Sequence, residues 1–295
     1  MVQKKLNIAI QGGPASFHEV AAQQYFTKDA VEPLACQSFQ QLCDLLEQGE
    51  ADYAVMAIEN ALAGSILTNY TLLQLHSFSV VGEQWLPIDQ NIMALPGQKL
   101  EDITTVISHP VALLQCGDFL KRNPHIQPQE SHDTADSARE IKEKQLMGVA
   151  AIASKQAARL YGMELLEEHI ADRNDNYTRF LVLSRAPQHD QLTPADKASL
   201  ILQLPHANNS LGAVVNKLYT SRVNVSLIQS IPAPPHNTSH NVAIDIECAD
   251  YTRLMSAIEE LTPLVQDLQL LGLYHKGLTP LLLEYSEKLL TPTYN

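Results

Sequence analysis

Positive charge is scarce in this chain. Its 295 residues hold 20 Lys and Arg against 33 Asp and Glu, a formal net charge of −13. Nucleic-acid binding rests on clustered basic side chains and released counterions, so this balance argues against such a partner. Cysteine is scarce too. Cys36, Cys43, Cys116 and Cys248 make no C-x-x-C pair and read as small buried hydrophobes in a reducing compartment. No apolar run is long enough to span a membrane, and Met1-Val2-Gln3-Lys4-Lys5-Leu6-Asn7 enters a strand without the apolar stretch of a signal peptide. These absences predict a cytoplasmic protein with no membrane partner. Gly12-Gly13-Pro14 is not the G-x-G-x-x-G fingerprint of a dinucleotide site. His236 and His240 stand four apart, but among Pro234, Pro235 and Asn237, a poor setting for a metal. His109 and Cys116 fall seven apart on one predicted helix, which suits a core cysteine better than a thiol–imidazole pair. No Ser-His-Asp order stands out, and neither a metal nor an organic cofactor is expected.

What is present is a well-stocked core. Apolar residues make up 45% of the chain and charged ones 18%, and the length suits two domains. The first 185 residues alternate strand-like and helix-like segments, the rhythm of an α/β fold. Strands are predicted at Leu6–Ile10, Ala54–Ile58, Ser79–Val81, Thr105–Ile107, Gly148–Ile152 and Arg179–Leu183. Helices are predicted at Phe17–Phe26, Pro110–Lys121, Ala135–Lys144 and Lys155–Tyr161, with Gly162 as a C-cap. The run from Arg185 to Asp196, with two prolines and little periodicity, reads as an interdomain linker. A compact βαββαβ pattern follows, the ferredoxin-like order. Its strands are Ala198–Leu204, Asn224–Ile231, Asn241–Cys248 and Val265–Tyr274, and its helices Leu211–Ser221 and Thr252–Leu261. Thr291 to Asn295 read as a frayed end.

Small polar residues recur where helices should begin. Ser16 precedes Phe17, with Glu19 three residues on, a capping-box spacing. Asn60 follows a strand, Ser108 precedes His109-Pro110, Thr134 follows Asp133 before an alanine-rich helix, and Ser154 precedes Lys155. Each alone is an ordinary cap. Together they are more telling, because ligands of open α/β sheets bind beyond the carboxyl ends of the strands, where the helices start. Several helix N-termini aimed at one place offer N–H groups and positive partial charge, so an acidic chain can still hold a small anion. The polar run Asp172-Arg173-Asn174-Asp175-Asn176-Tyr177-Thr178-Arg179-Phe180 enters an apolar strand. In it Thr178 can donate a hydrogen bond, and Arg179 can clamp a carboxylate or merely form an ion pair.

Three motifs in order and at consistent spacing carry a family resemblance. Ile58-Glu59-Asn60 with Gly64, Ser108-His109-Pro110 with Gln115-Cys116, and Asn176-Tyr177-Thr178-Arg179-Phe180 together resemble prephenate dehydratase, over nearly the whole chain. The βαββαβ unit resembles the amino-acid-sensing ACT domain that accompanies that enzyme. The resemblance implies a type II periplasmic-binding-protein-like catalytic domain over 1–186, with one lobe at 1–80 plus 172–186, the other at 81–171, and the active site between them. A linker at 187–196, an ACT domain at 197–280 and a tail at 281–295 complete the expected organisation. It implies Thr178 as the catalytic residue. Asn60, Ser108 and Gln115 are then substrate-binding, Arg179 and Phe180 complete the tripeptide, and Ser16, Thr134 and Ser154 fall on matching cap positions.

The implied reaction converts prephenate to phenylpyruvate, carbon dioxide and water. Thr178 would assist the departing C4 hydroxyl, Asn60 would stabilise developing charge, and Arg179 with the caps at Ser16, Ser108 and Ser154 would hold the carboxylates. An amino-acid effector, phenylalanine in the family, is expected near Asn209, Leu211, Gly212, Ala213 and Val214. Paired ACT sheets imply a homodimer or homotetramer. The sequence also departs from the family pattern. Ala57 replaces a proline, Ala61-Leu62 a Ser/Thr pair, and Ala15 a glycine. Gly212-Ala213-Val214 stands for Gly-Ala-Leu, and Gln229-Ser230-Ile231-Pro232 for Glu-Ser-Arg-Pro. Arogenate dehydratase and a non-catalytic sensor of small anions or amino acids are the alternative readings. An ACT-containing transcriptional regulator lacks a basic helix-turn-helix segment.

Overall fold

The computed structural model describes residues 5–186, 194–205, 207–232 and 240–279. Most of the expected linker, the loop holding His236, and the expected frayed end lie outside these residues. In chain order the first elements are β1 (Lys5–Gln11), α1 (Phe17–Tyr25), β2 (Ala30–Cys36), α2 (Phe39–Gln48), β3 (Tyr53–Asn60), β4 (Gly64–Ser65), α3 (Leu67–Leu75) and β5 (Ser79–Pro87). Next come β6 (Asn91–Ala94), β7 (Thr105–Ser108), α4 (Pro110–Leu114), α5 (Gly117–Arg122), β8 (Gln127–Glu130), α6 (Thr134–Lys144), β9 (Val149–Ala153), α7 (Lys155–Tyr161), β10 (Glu164–Glu167) and β11 (Tyr177–Ser184). The rest are β12 (Lys197–Leu204), α8 (Ser210–Thr220), β13 (Asn224–Ile231), β14 (His240–Glu247), α9 (Tyr251–Leu261) and β15 (Asp267–Tyr274).

The described residues pack as two compact units. One takes in residues of Met1–Leu42, Asn60–Gly64 and Leu86–Thr178, the other residues of Cys43–Glu59, Ser65–Trp85 and Arg179–Asn295. In the first unit β1 pairs with β2 in parallel. A five-stranded sheet in the order β10-β6-β9-β7-β8 forms the rest of its framework. There β7 runs parallel to both β8 and β9, so the carboxyl ends of three strands share one edge. The helix expected over Pro110–Lys121 is two helices. Gln115 caps the first at its C-terminus and Cys116 opens the second.

In the second unit β3, β11 and β5 are neighbours in that order, and β11 is buried along its whole length. Such a strand reads as a continuous apolar run. The ferredoxin-like sheet has the order β13-β14-β12-β15, antiparallel throughout. One face of it, with Ala198, Leu200, Leu202, Val242, Ile244 and Ile246, packs on Val214, Leu218, Leu254 and Ile258 of α8 and α9. The alternate residues Lys197, Ser199, Ala243 and Asp245 face the other way and are buried as well. This second face is covered by the α3–β5 region. Gln74 meets Asn241, the Gln269 side chain donates to the Leu73 carbonyl, and β15 lies hard against β5. Mixed α/β sheets followed by an ACT-like antiparallel βαββαβ domain describe the fold.

Gly272 shows how close that last approach is. A Cβ there would lie 2.0 Å from the Val80 carbonyl oxygen, which is backbone and cannot swing aside. Gly272→Ala is therefore expected to lose about 3 kcal/mol or more of stability by forced separation of β15 from β5. A fall in the urea midpoint checks this; an unchanged midpoint contradicts the contact.

Candidate active site

The three family motifs place four amide or hydroxyl side chains in one hydrogen-bonded chain inside the first unit. Asn60, the last residue of β3, turns its carbonyl oxygen to the backbone N–H of Leu62 (3.1 Å) and Ala63 (2.8 Å). Those two backbone donors fix which way the amide faces. The Asn60 Nδ2 then donates to Thr178 Oγ1 (3.0 Å), Asn176 Oδ1 (2.8 Å) and the Tyr177 carbonyl (3.2 Å). Thr178 Oγ1 is thus an acceptor toward Asn60, which leaves its own proton to be donated elsewhere. Asn176 in turn donates to Gln115 Oε1 (2.9 Å), so the Gln115 amide nitrogen remains a donor. Asn176 was quoted in the motif without a role. At 1% exposure it is the hub of this chain, and only its position two residues before Thr178 hinted at that.

Asp172 supports the same cluster from outside the motifs. Its carboxylate caps α5 through Gly117 N–H (3.0 Å) and Asp118 N–H (2.8 Å), and its own N–H donates to the Gln115 carbonyl (2.8 Å). A helix break at Gln115 with a distant carboxylate capping the next helix leaves no local signal in the sequence.

The predicted caps divide into two kinds. Ser16 and Ser154 are caps. Ser16 Oγ accepts from Glu19 N–H (3.3 Å), and Ser154 Oγ accepts from Ala157 N–H (3.1 Å). Glu19 reaches the N–H of Ala15, one residue earlier than a capping box requires, because Ala15 sits in the left-handed region at φ 65°. Ser108 and Thr134 are not caps. His109 caps α4 by accepting from Val111 N–H, while the fully buried Ser108 hydroxyl donates to the Ile152 carbonyl (2.7 Å). Asp133 caps α6, accepting from Ala135 and Asp136 N–H, and Thr134 is the first helical residue. A carboxylate is simply a stronger acceptor for a helix N-terminus than the hydroxyl beside it. Asn60 starts no helix; its carbonyl closes a turn.

These positions nonetheless converge. Ser108 ends β7, the Ser131–Asp133 turn and Ser154 follow the carboxyl ends of β8 and β9, and Ser131 N–H donates to the Ser108 carbonyl (2.8 Å). Ser154 Oγ donates to the Ala15 carbonyl (3.3 Å), and Tyr161 OH to the Pro14 carbonyl (3.1 Å). The starts of α1, α6 and α7 therefore meet, with Gly12 so close to Asp133 that a Cβ would fall 2.8 Å from its carboxylate.

Phe180 is a core side chain, and Arg179 has partners of its own. Side chains alternate along a strand, so Arg179 points to the face of β11 opposite Thr178. Its guanidinium is 2.6 Å from Glu83 and 2.5 Å from Asp245. The expected carboxylate clamp does not fit that setting. In the ACT-like domain Asn209 caps α8 in the left-handed conformation (φ 65°), packed against Gly212. Leu211 is partly exposed there, Ala213 lies in the same first turn, and Val214 is in the core. Cys116 is fully buried, its thiol pushed up to about 12 by burial, which suits a core residue and not a nucleophile. Among the described residues no group of His, Cys, Asp and Glu has the arrangement to hold a metal, and no helix is long and apolar enough to cross a membrane.

The comparisons agree with the motifs. The prephenate dehydratase family matches residues 8–188. The chain is 33% identical over 289 residues to the bifunctional chorismate mutase/prephenate dehydratase of Enterobacter agglomerans, across 93% of this chain and 74% of that protein. It is 32% identical over 293 residues to the chloroplastic arogenate dehydratase/prephenate dehydratase 6 of Arabidopsis thaliana, across 93% and 70%. The structure resembles that of prephenate dehydratase from Arthrobacter aurescens in complex with L-Phe, with TM-score 0.82, 26% identity and coverage of 92% and 90%. The chain belongs to the prephenate dehydratase family. It is a lyase with that family's dehydratase activity in aromatic amino-acid biosynthesis.

Two measurements follow from this geometry. Asn176→Ala removes one bond from Asn60 and one from Gln115 in a buried setting, so a stability loss of about 1–3 kcal/mol is expected in urea unfolding, with turnover reduced as well. His18 in α1 is buried against Phe39, and burial holds its imidazole down at about 3 instead of 6.5. Between those values the unfolded chain binds a proton that the folded chain refuses, so stability falls as pH drops from 6.5 toward 3. At pH 5 the penalty is about 2 kcal/mol, and His18→Leu is expected to remove it from the pH 7 to pH 5 difference in unfolding free energy.

Proposed function

We propose that the chain is a prephenate dehydratase: it turns prephenate and a proton into phenylpyruvate, carbon dioxide and water. The observation that carries this reading is the Asn60–Thr178 hydrogen bond, with the amide orientation set by Leu62 and Ala63 N–H. It makes Thr178 a donor aimed away from Asn60, which is what a departing C4 hydroxyl needs. Loss of the ring carboxylate as carbon dioxide supplies the electron pair that expels the hydroxyl, and the ring becomes aromatic. Because aromatisation drives the step, a neutral donor supported by amides suffices. Gln115 Nε2 and the uncapped first-turn N–H groups near Ser16 and Ser154 hold the side-chain carboxylate. Weak, neutral contacts suit the carboxylate that leaves, since only interactions stronger in the transition state speed the reaction.

Asn209, Leu211, Gly212 and Ala213 form the turn proposed to take an amino-acid effector, with Val214 shaping it from beneath. Phenylalanine is the candidate, because the Arthrobacter aurescens relative was solved with L-Phe. Functional assembly as a homodimer or homotetramer belongs to the same reading. Arogenate differs from prephenate only in carrying an amino group for the side-chain keto group, and one relative carries both activities in its name. Offering both substrates to the purified chain decides between them. Thr178→Ala is expected to lower kcat about a hundredfold or more in a folded protein, with Thr178→Ser retaining most of it. Near-normal turnover by Thr178→Ala sinks the assignment.

A further inference from the structure

Arg179 directly follows Thr178, yet it is spent on a ring of three hydrogen bonds and one ion pair. Its Nη2 donates to Tyr274 OH (3.0 Å). Ser199 Oγ donates to Asp245 Oδ1 (2.6 Å), so the Tyr274 hydroxyl must be the donor in its 2.6 Å contact with Ser199. The ring closes on an ion pair, Asp245 Oδ2 with Arg179 Nη1 at 2.5 Å. Each hydroxyl gives once and receives once, so no member can reverse alone. Three of the four members, Ser199, Asp245 and Tyr274, stand on β12, β14 and β15 of the ACT-like domain.

Charge pins the ring further. Arg179 and Lys197 are both buried, and so are Glu83 and Asp245, so two cations meet two anions. Glu83 takes Arg179 Nε (2.6 Å), Lys197 (3.1 Å) and Gly277 N–H (2.8 Å). Trp85 lies 5.9 Å from the guanidinium carbon. Burial by itself would drive the guanidinium toward neutrality, but Asp245, Tyr274 and Glu83 hold its pKa well above the ordinary range. A third carboxylate already forms a longer ion pair with the guanidinium. Glu59 lies 3.7 Å from Arg179 Nη1, the same nitrogen that Asp245 holds. Glu59 precedes Asn60 and Arg179 follows Thr178, so this pair flanks the Asn60–Thr178 hydrogen bond.

We infer that Asp245 of the ACT-like domain is a positioning residue for the dehydratase site, keeping Arg179 from closing further on Glu59 so that Thr178 keeps its place on Asn60. This rests on the reading of Thr178 as the catalytic residue. With Asp245 engaged, the guanidinium is fixed on the far face of β11. With Asp245 neutralised, Nη1 closes on Glu59 and distorts the pairing of the neighbouring strands β3 and β11 beside the two residues that must stay 3.0 Å apart. An ACT-like domain that shifts β14 would alter the catalytic hydrogen bond by the same route.

The test uses the full chain with Asp245→Asn, Tyr274→Phe and, as a control, Glu259→Gln on the exposed side of α9. Asparagine keeps the volume but cannot serve Ser199 and Arg179 together; phenylalanine opens the ring without removing a charge and stands in if the first variant does not fold. Both are expected to lower kcat about tenfold with KM changed less than twofold, and to speed amide exchange of Tyr177, Thr178 and Arg179 about tenfold, while Glu259→Gln does neither. Unchanged kcat in a folded variant of an active enzyme overturns the inference, as does unchanged exchange at these amides whether or not the enzyme is active. A wild-type chain that turns over neither prephenate nor arogenate overturns the functional reading instead, and exchange then decides the positioning.

Discussion

The buried ion pair between Arg179 and Asp245 is the constraint on which the second unit depends. A guanidinium at 2% exposure is tolerable only because carboxylates and a phenol meet its donors. Every one of those partners comes from a different element. Glu83 belongs to β5, Asp245 to β14 and Tyr274 to β15. Satisfying one arginine therefore fixes how the ACT-like sheet lies against β5 and β11. The close passage of Gly272 over Val80 is the steric side of the same requirement. An antiparallel sheet can leave one face to water. This one buries both, helices on one side and the charged cluster on the other.

The first unit works by the opposite principle. The side chains bonded to one another around Thr178 are amides and hydroxyls, and the backbone N–H groups of Leu62 and Ala63 set the orientation of the Asn60 amide. A charged clamp would grip both carboxylates of a doubly anionic substrate, including the one that must leave. A neutral relay, oriented in advance, can favour the departing hydroxyl without that penalty. Arginine on the far face of the same strand keeps the motif's charge in the ion-pair cluster and leaves the Thr178 hydroxyl among neutral groups, as the proposed proton donation requires.

Much of this was legible in the sequence, and the exceptions have physical causes. Strong periodicity located β1, α1, β7, α6, α7 and the whole βαββαβ unit to within a few residues. The elements β2, α2, α3, β6, β8 and β10 escaped notice. For β8 and β10 the reason is plain: both are short strands with exposed or half-exposed residues and no clean alternation. The division of Pro110–Lys121 at Gln115 depends on Asp172, more than fifty residues away, which no local pattern reveals. At the site the motifs named Asn60, Gln115 and Thr178 and the structure joined them through Asn176. Reading Ser108 and Thr134 as caps failed because the cap positions fall one residue away, on His109 and Asp133, with the Ser108 hydroxyl spent on the Ile152 carbonyl. Arg179 was the most consequential misplacement. Its neighbour Thr178 suggested a shared task, but period-two alternation sends the two side chains to opposite faces, and the partners of Arg179 are distant in sequence.

A crystal structure of the chain with an unreactive dicarboxylate analogue of the cyclohexadienol substrate tests the central claim most directly. The account predicts the analogue's hydroxyl against Thr178 Oγ1, its side-chain carboxylate on Gln115 and helix N–H groups, and Arg179 still bound to Glu83, Asp245 and Tyr274. An Arg179 that leaves Asp245 to bind an analogue carboxylate would contradict it.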